Sequence, residues 1–143
     1  MARWLKELSV KLKMSQQVVA KSNHIRQTPR KVRLVADQIR GLPANEAMVL
    51  LQALNKRAAR PLFLTLKQAI GNAKNNFNLK EDGLRIKSLE VGKGPTLKRG
   101  RAVSRGRWHS ILKRSSHLTL VLEGEEKESK SQKLKKDNHG TKS

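Results

Sequence analysis

Residues 84–122 read LRIKSLEVGKGPTLKRGRAVSRGRWHSILKRSSHLTLVL. Leu84-Arg85-Ile86 alternates apolar and polar, and Leu89-Glu90-Val91 does so again. Such alternation sends successive side chains to opposite faces of a strand. The parity slips between Ile86 and Leu89, which predicts a β-bulge or a strand break near Ser88. Further on, Ile111 to Leu122 is a second extended stretch, with Leu118, Leu120 and Leu122 on one side and Thr119 and Val121 on the other. The two stretches are natural antiparallel partners, and what joins them decides the fold. Gly92 to Arg107 is too long for an ordinary hairpin turn, and a structureless connection of this length is uncommon in a compact domain. Two readings stand: a disordered loop, or a hairpin whose arms extend beyond the globular body, with Ile111 and Leu112 helping to anchor its base.

Charge is distributed unevenly over this stretch. From Val91 to Leu122 there are eight Lys or Arg residues (Lys93, Lys98, Arg99, Arg101, Arg105, Arg107, Lys113 and Arg114) and no Asp or Glu. Solubility alone does not require that bias, because mixed signs would serve equally well. Gly94, Gly100 and Gly106 permit tight backbone shapes beside phosphates, and arginine offers a planar fork to phosphate oxygens. Trp108 and His109 add flat surfaces that could stack on unpaired bases. The plainer reading of Trp108 is a packing residue at the base of a hairpin.

Upstream, the periodicity is helical. Thr28 suits an N-cap, Pro29 the first helical position and Gly41 the C′ position. Val32, Val35, Ala36 and Ile39 line one face between them, with Leu34 to its side, while Arg26, Arg30, Lys31, Arg33 and Arg40 decorate the region. Pro43 can open a second helix with the stripe Ala47, Leu50, Leu51 and Leu54, after a very short link through Leu42. A third is predicted from about Asn55 to Asn75, with Ala59, Leu62, Phe63, Leu66, Ala69, Ile70 and Ala73 near a 3.6-residue period and Phe77 extending that face. Pro61 within its first turns predicts a kink or a later true start. Ala69, Gly71 and Ala73 are small enough for close helix contact.

The chain ends read differently. Residues 1–20 form a basic extension in which Leu5, Leu8 and Leu12 recur at helical spacing and Trp4 can join them; it is either a frayed helix or an arm that orders on RNA. Residues 123–143 are polar, mixed in sign and without apolar periodicity, which predicts a disordered tail. Residues 21–122 then form one domain, with the extended hairpin at about 88–110.

Bulk composition narrows the partner. The chain has 143 residues, 32 Lys plus Arg against 11 Asp plus Glu, and a formal net charge of +21. Such a charge speaks to partners rather than to fold and calls for a dense polyanion. A membrane is disfavoured, because no apolar run approaches the ~20 residues of a spanning helix. Met1 to Ala20 lacks the apolar stretch and cleavage signal of a secretory peptide. Cysteine is absent, which removes disulfides and thiolate chemistry. His24, His109, His117 and His139 show no metal-ligand spacing, Asp37, Glu46, Glu81, Asp82 and Glu90 form no paired set, and no nucleophile elbow or Walker loop is present. No catalytic residues, metal or cofactor are expected, and the chain reads as a binding protein rather than an enzyme. A helix-turn-helix reader is disfavoured because the second helix carries Glu46 and apolar residues where basic ones should read the groove. The alternative to a specific RNA binder is a non-specific nucleic-acid chaperone or nucleoid-type protein, motivated by charge alone.

The ordered motifs carry a resemblance. HIRQTPRKVRLVADQIRG at 24–41, AIGNAKNN at 69–76, GPTLKR at 94–99, Gly106-Arg107 and ILKRSSHLTL at 111–120 resemble bacterial-type large-subunit ribosomal protein twenty-two, over roughly Ser22 to Leu122. That resemblance implies an α+β fold, with three helices packed on a small three-stranded antiparallel sheet and a long protruding β-hairpin. The third strand would come from Ser22 to Gln27, which otherwise reads as coil. It implies a structural constituent of the large subunit that binds ribosomal RNA, aids assembly, touches neighbouring ribosomal proteins and lines the nascent-peptide exit tunnel with its hairpin tip. Arg26, Arg30, Lys31 and Arg33 match the family's RNA-facing first motif. Pro95, Lys98, Arg99, Gly106, Arg107, Lys113 and Arg114 match its hairpin and return strand. The tip departs from the family: Ala102-Val103-Ser104 replaces the usual Pro-Arg-Ala, and Trp108 stands where a small residue is common. The expected location is the cytoplasm, within the large subunit, rather than an organellar ribosome.

Overall fold

A computed structural model describes residues 16–124; Met1 to Ser15 of the extension, and the tail from residue 125, lie outside the described residues. The elements in order are β1 (Gln16–Ile25), α1 (Pro29–Ile39), α2 (Ala44–Ala53), α3 (Ala59–Phe77), β2 (Arg85–Ala102) and β3 (Trp108–Gly124), with short 3-10 turns at Glu81–Gly83 and Ser104–Gly106. The strands form one antiparallel sheet in the order β1-β3-β2.

The three helices form for the reasons their sequences gave, with adjustments at the ends. In α1, Pro29 is the first helical residue and Gly41 beyond the end has φ +80°, the left-handed geometry that glycine tolerates. Thr28 precedes the helix, but its side chain makes no cap; its carbonyl instead accepts from the N–H groups of Lys31 and Val32, at 3.1 and 3.3 Å. Val32, Val35, Ala36 and Ile39 are buried and Leu34 is exposed. In α2, Ala47 and Leu51 are buried, with Leu50 and Leu54 partly so. Helix α3 starts at Ala59 rather than Asn55. Pro61 thereby falls in the first turn, where its missing N–H has no intrahelical partner to lose. The helix runs on to Phe77, which stays exposed. Leu79 fills the core instead, its N–H bonded to the Ala73 carbonyl (3.1 Å) after a left-handed Asn78.

The sheet buries one face. Val18 and Ala20 of β1, Ile86, Leu89 and Val91 of β2, and Leu118, Leu120 and Leu122 of β3 all point into the core. In register, Leu120 lies between Ala20 and Leu89, and Leu122 between Val18 and Ile86. The β2 register shifts between Ile86 and Ser88, so the expected bulge is present and lets Ile86 and Leu89 share the inner face. Strand β1 corrects two boundaries. It begins at Gln16, inside the segment read as extension, and ends at Ile25 rather than Gln27. The run Val18-Val19-Ala20 is apolar throughout and hides the period of two, although only Val18 and Ala20 are buried. Opposite Gln16 and Gln17, Gly124 and Glu123 extend β3 into the segment read as tail.

An exposed sheet edge invites unwanted pairing. The outer edge of β2 is closed by α1 and the link that follows it. Ala44 N–H donates to the Leu84 carbonyl and Ile86 N–H donates to the Leu42 carbonyl, at 2.9 and 3.1 Å. Farther along, Arg40 donates to the Leu89 carbonyl (3.1 Å) and Arg33 to the Val91 carbonyl (2.9 Å). Two guanidinium groups stand in for a fourth strand. Replacing Arg33 by Ala is expected to lower stability by about 1 kcal/mol, the typical net worth of such a bond. Urea unfolding of the free protein checks this, and an unchanged midpoint would show that water replaces the guanidinium without loss.

One core position carries an uncompensated polar group. Ser116 is fully buried and its hydroxyl has no partner among the described residues. Ser116→Ala is therefore expected to leave stability unchanged or to raise it by up to about 1 kcal/mol, since a desolvated hydroxyl is removed with little change in volume. Calorimetry of the two proteins measures the sign.

Candidate nucleic-acid interface

The segment left open as loop or hairpin is a hairpin. Strand pairing runs from Thr96↔Arg114 to Ala102↔Trp108 without interruption, a ladder of roughly 20 Å at about 3.4 Å per residue. Residues 101–114 are all exposed, so the arms leave the body and have no core of their own.

The departure point is built by close backbone approach. The register of β2 against β3 shifts between Lys93 and Thr96, and Pro95, which has no N–H to donate, sits in that irregularity. The Ser115 hydroxyl donates to the Pro95 carbonyl at 2.6 Å. A Cβ on Gly94 would stand 2.5 Å from Ser115 Oγ and 3.1 Å from the Ser115 carbonyl carbon, so only glycine fits there. These contacts, not Ile111 and Leu112, anchor the base. Ile111 and Leu112 pair with Arg99 and Lys98 along the arms and are 44% and 46% exposed. Their apolar character suggested a core contact, but the arms carry them away from any core.

Register assigns the side chains to two faces. Directly opposed residues in an antiparallel pair share a face. One face carries Leu97 with Lys113, Arg99 with Ile111, and Arg101 with His109; the other carries Thr96 with Arg114, Lys98 with Leu112, Gly100 with Ser110, and Ala102 with Trp108. Trp108 is at the tip end, 69% exposed, which overturns its reading as a packing residue at the hairpin base. His109 faces the opposite way. The turn is closed by Val103 N–H donating to the Arg107 carbonyl at 2.8 Å. Within it Arg105 (φ +60°) and Gly106 (φ +69°) are left-handed, and Arg105 and Arg107 add charge at the extremity.

The body set sits beside the hairpin base. The contacts Arg40 to Leu89 and Arg33 to Val91 run α1 antiparallel to β2, so the N-terminal turn of α1 points toward Lys93. Arg26, Arg30 and Lys31 are exposed there, where the positive end of the helix dipole adds to their field. Arg33 serves the fold as well, since its Nη2 donates to the Val91 carbonyl. The Gln27 side chain donates to the Arg57 carbonyl at 2.8 Å, which adds Arg57 to this margin. Arg60 and Lys67 are exposed on α3. Sequence reasoning passed over these three cations because it followed only the apolar period of the 55–75 stretch. His24 and His117 meet edge-to-face, 4.9 Å apart, and the His24 backbone N–H donates to His117 Nδ1 at 3.3 Å. Both rings are thereby used in structure.

Three carboxylates of the described residues form ion pairs with basic side chains of the body. Asp37 pairs with Arg40 (3.1 Å), Glu81 with Lys74 (2.9 Å) and Glu123 with Lys87 (3.6 Å). Glu81 holds the Lys74 ammonium above the usual lysine range, by hydrogen bonding first and by charge second. The hairpin cations have no carboxylate within their own sequence to screen them. Among the described residues no three metal-ligating side chains group together, and no helix is long and apolar enough to cross a membrane.

Comparison with known proteins places the sequence among relatives. The family model described as Ribosomal protein L22p/L17e matches residues 20–123. Large ribosomal subunit protein uL22 of Mesoplasma florum is 48% identical over 103 residues, covering 72% of this chain and 92% of that protein. The proteins of the same name from Mycoplasma capricolum and Clostridium novyi are 45% and 44% identical over 106 and 109 residues; the alignments cover 74% and 76% of this chain and 96% of each relative.

Proposed function

The chain belongs to the ribosomal protein L22p/L17e family, and on that premise we propose that its hairpin and the N-terminal turn of α1 together grip large-subunit ribosomal RNA. The chain is a structural constituent of the large ribosomal subunit, not an enzyme. Ribosomal RNA and neighbouring ribosomal proteins are its partners.

The observation that carries the proposal is a ladder of cations on arms with no core. A two-stranded hairpin is marginally stable by itself in water, and this one exposes Leu97, Ile111 and Leu112 as well as its charges. Surrounding RNA supplies both phosphates for the cations and surfaces for the apolar side chains. Arg99, Arg101 and Lys113 serve one wall and Lys98 and Arg114 the other, while Arg105 and Arg107 serve the tip. Arg26, Arg30 and Lys31, with Lys93, hold RNA at the base. Contacts of this kind fix position and depend on salt; shape and the 2′-hydroxyl supply selectivity. The finer placement, in which the tip lines the exit tunnel and meets the nascent peptide in a cytoplasmic ribosome, follows the family resemblance.

Crosslinking in intact cells, with readout of the RNA positions bound, tests this. Crosslinks from both the hairpin and the α1 turn to large-subunit RNA are expected. Absence of the chain from large subunits after a moderate salt wash, or equal affinity for unrelated RNA and DNA, would overturn it.

A further inference from the structure

Trp108 does not project freely from the tip. Its indole lies across the hairpin onto Gly100, its diagonal cross-strand neighbour, two residues before its direct partner Ala102. A Cβ on Gly100 would fall inside the indole, against Cε2, Cζ2 and Nε1. Part of the indole is thus seated on the Gly100 backbone, yet the residue remains 69% exposed. The floor around it is small and uncharged, formed by Gly100, Ala102 and Ser110, while Arg101 and His109 point to the opposite face. Arg107 adjoins the indole in the chain and Arg105 is in the turn.

We propose that Trp108, seated on Gly100, is a preformed stacking platform for one unpaired nucleobase of the surrounding RNA. The inference rests on the RNA-binding reading above and assigns the base contact to Trp108 alone, with His109 on the opposite face of the hairpin. Two physical points support it. A ring already fixed by its floor gives up little conformational freedom when a second ring stacks on it, and every base offers a π-face to such a platform. Cations at Arg105 and Arg107 match a ligand that carries its own phosphates. A transiting polypeptide has no fixed charge for them to meet, so the charge pattern favours a nucleotide.

The test uses large subunits from cells carrying wild-type protein, Trp108→Phe, Trp108→Leu or Gly100→Val, probed by 2′-hydroxyl acylation. Phe keeps a ring, Leu keeps apolar bulk without a ring, and Val removes the floor while keeping the indole. One nucleotide is expected to be constrained in the wild-type and Phe particles, and severalfold more reactive in the Leu and Val particles. Unchanged acylation in particles that contain the variant chains overturns the platform, as does an effect confined to nascent-chain transit. Zero-length ultraviolet crosslinking of wild-type particles needs no variant. It is expected to join the Trp108 peptide to a nucleotide, and a crosslink of that peptide only to protein overturns the inference. Absence of even the wild-type chain from large subunits would instead sink the underlying RNA-binding reading.

Discussion

Leu120→Ala is expected to cost roughly 3–4 kcal/mol, the range for truncating a buried leucine whose surroundings cannot collapse. Leu120 is fully buried on the central strand, between Ala20 and Leu89, so edge strands and helices hold the cavity open. A domain of this kind has a stability of about 5–15 kcal/mol, and this one should lie low in that range. Its hairpin adds surface without core, and a net charge of +21 repels itself. The melting temperature should fall by roughly 15–25 °C. Leu112→Ala is the internal control: the same substitution on the same strand, at a residue 46% exposed, should change stability by less than about 0.5 kcal/mol. Parallel thermal unfolding of the two variants decides. Equal losses would mean that the arms pack on something in the free protein and that the division between body and projection is wrong.

That division also marks where the sequence was legible. The buried face of α1 and the inward Leu118, Leu120 and Leu122 could be read directly, because a helix period or a strand period repeated without interference. So could the bulge at Ser88, since a slipped parity has one simple structural remedy. Legibility failed where local pattern depends on distant partners. Val18-Val19-Ala20 shows no alternation, and β1 exists because β3 offers Leu120 and Leu122 to pair with. Ile111 and Leu112 look like core residues to any local rule, and only the position of the hairpin base shows that the core ends before them. Arg33 and Arg40 read as decoration, but the edge of β2 uses them as donors. For Trp108 the signal was present in Gly100, eight residues earlier, yet it becomes readable only when register sets the two side by side.

The second large effect is on binding rather than stability. Replacing Lys98, Arg99, Arg101, Arg105 and Arg107 together by Gln is expected to leave the free protein folded. All five side chains lie on the projection, and none pairs with a carboxylate among the described residues. Self-repulsion falls as well, so stability should hold or rise slightly. Binding to large-subunit RNA should move the other way. If each cation neutralises one phosphate, its loss lowers the slope of log K against log salt by about 0.7–0.9. Five such losses lower it by roughly 3.5–4.5, and near 0.1 M salt they weaken binding by about a thousandfold or more. Incorporation into particles should fail accordingly. Titration of the RNA across a salt series, beside calorimetry of the free chain, separates the two quantities. A slope that does not change would show that the cations face water, and the hairpin would then need some source of order other than phosphate. A protein that loses stability instead would show that these charges serve the fold, which their exposure and the lack of carboxylate partners give no reason to expect.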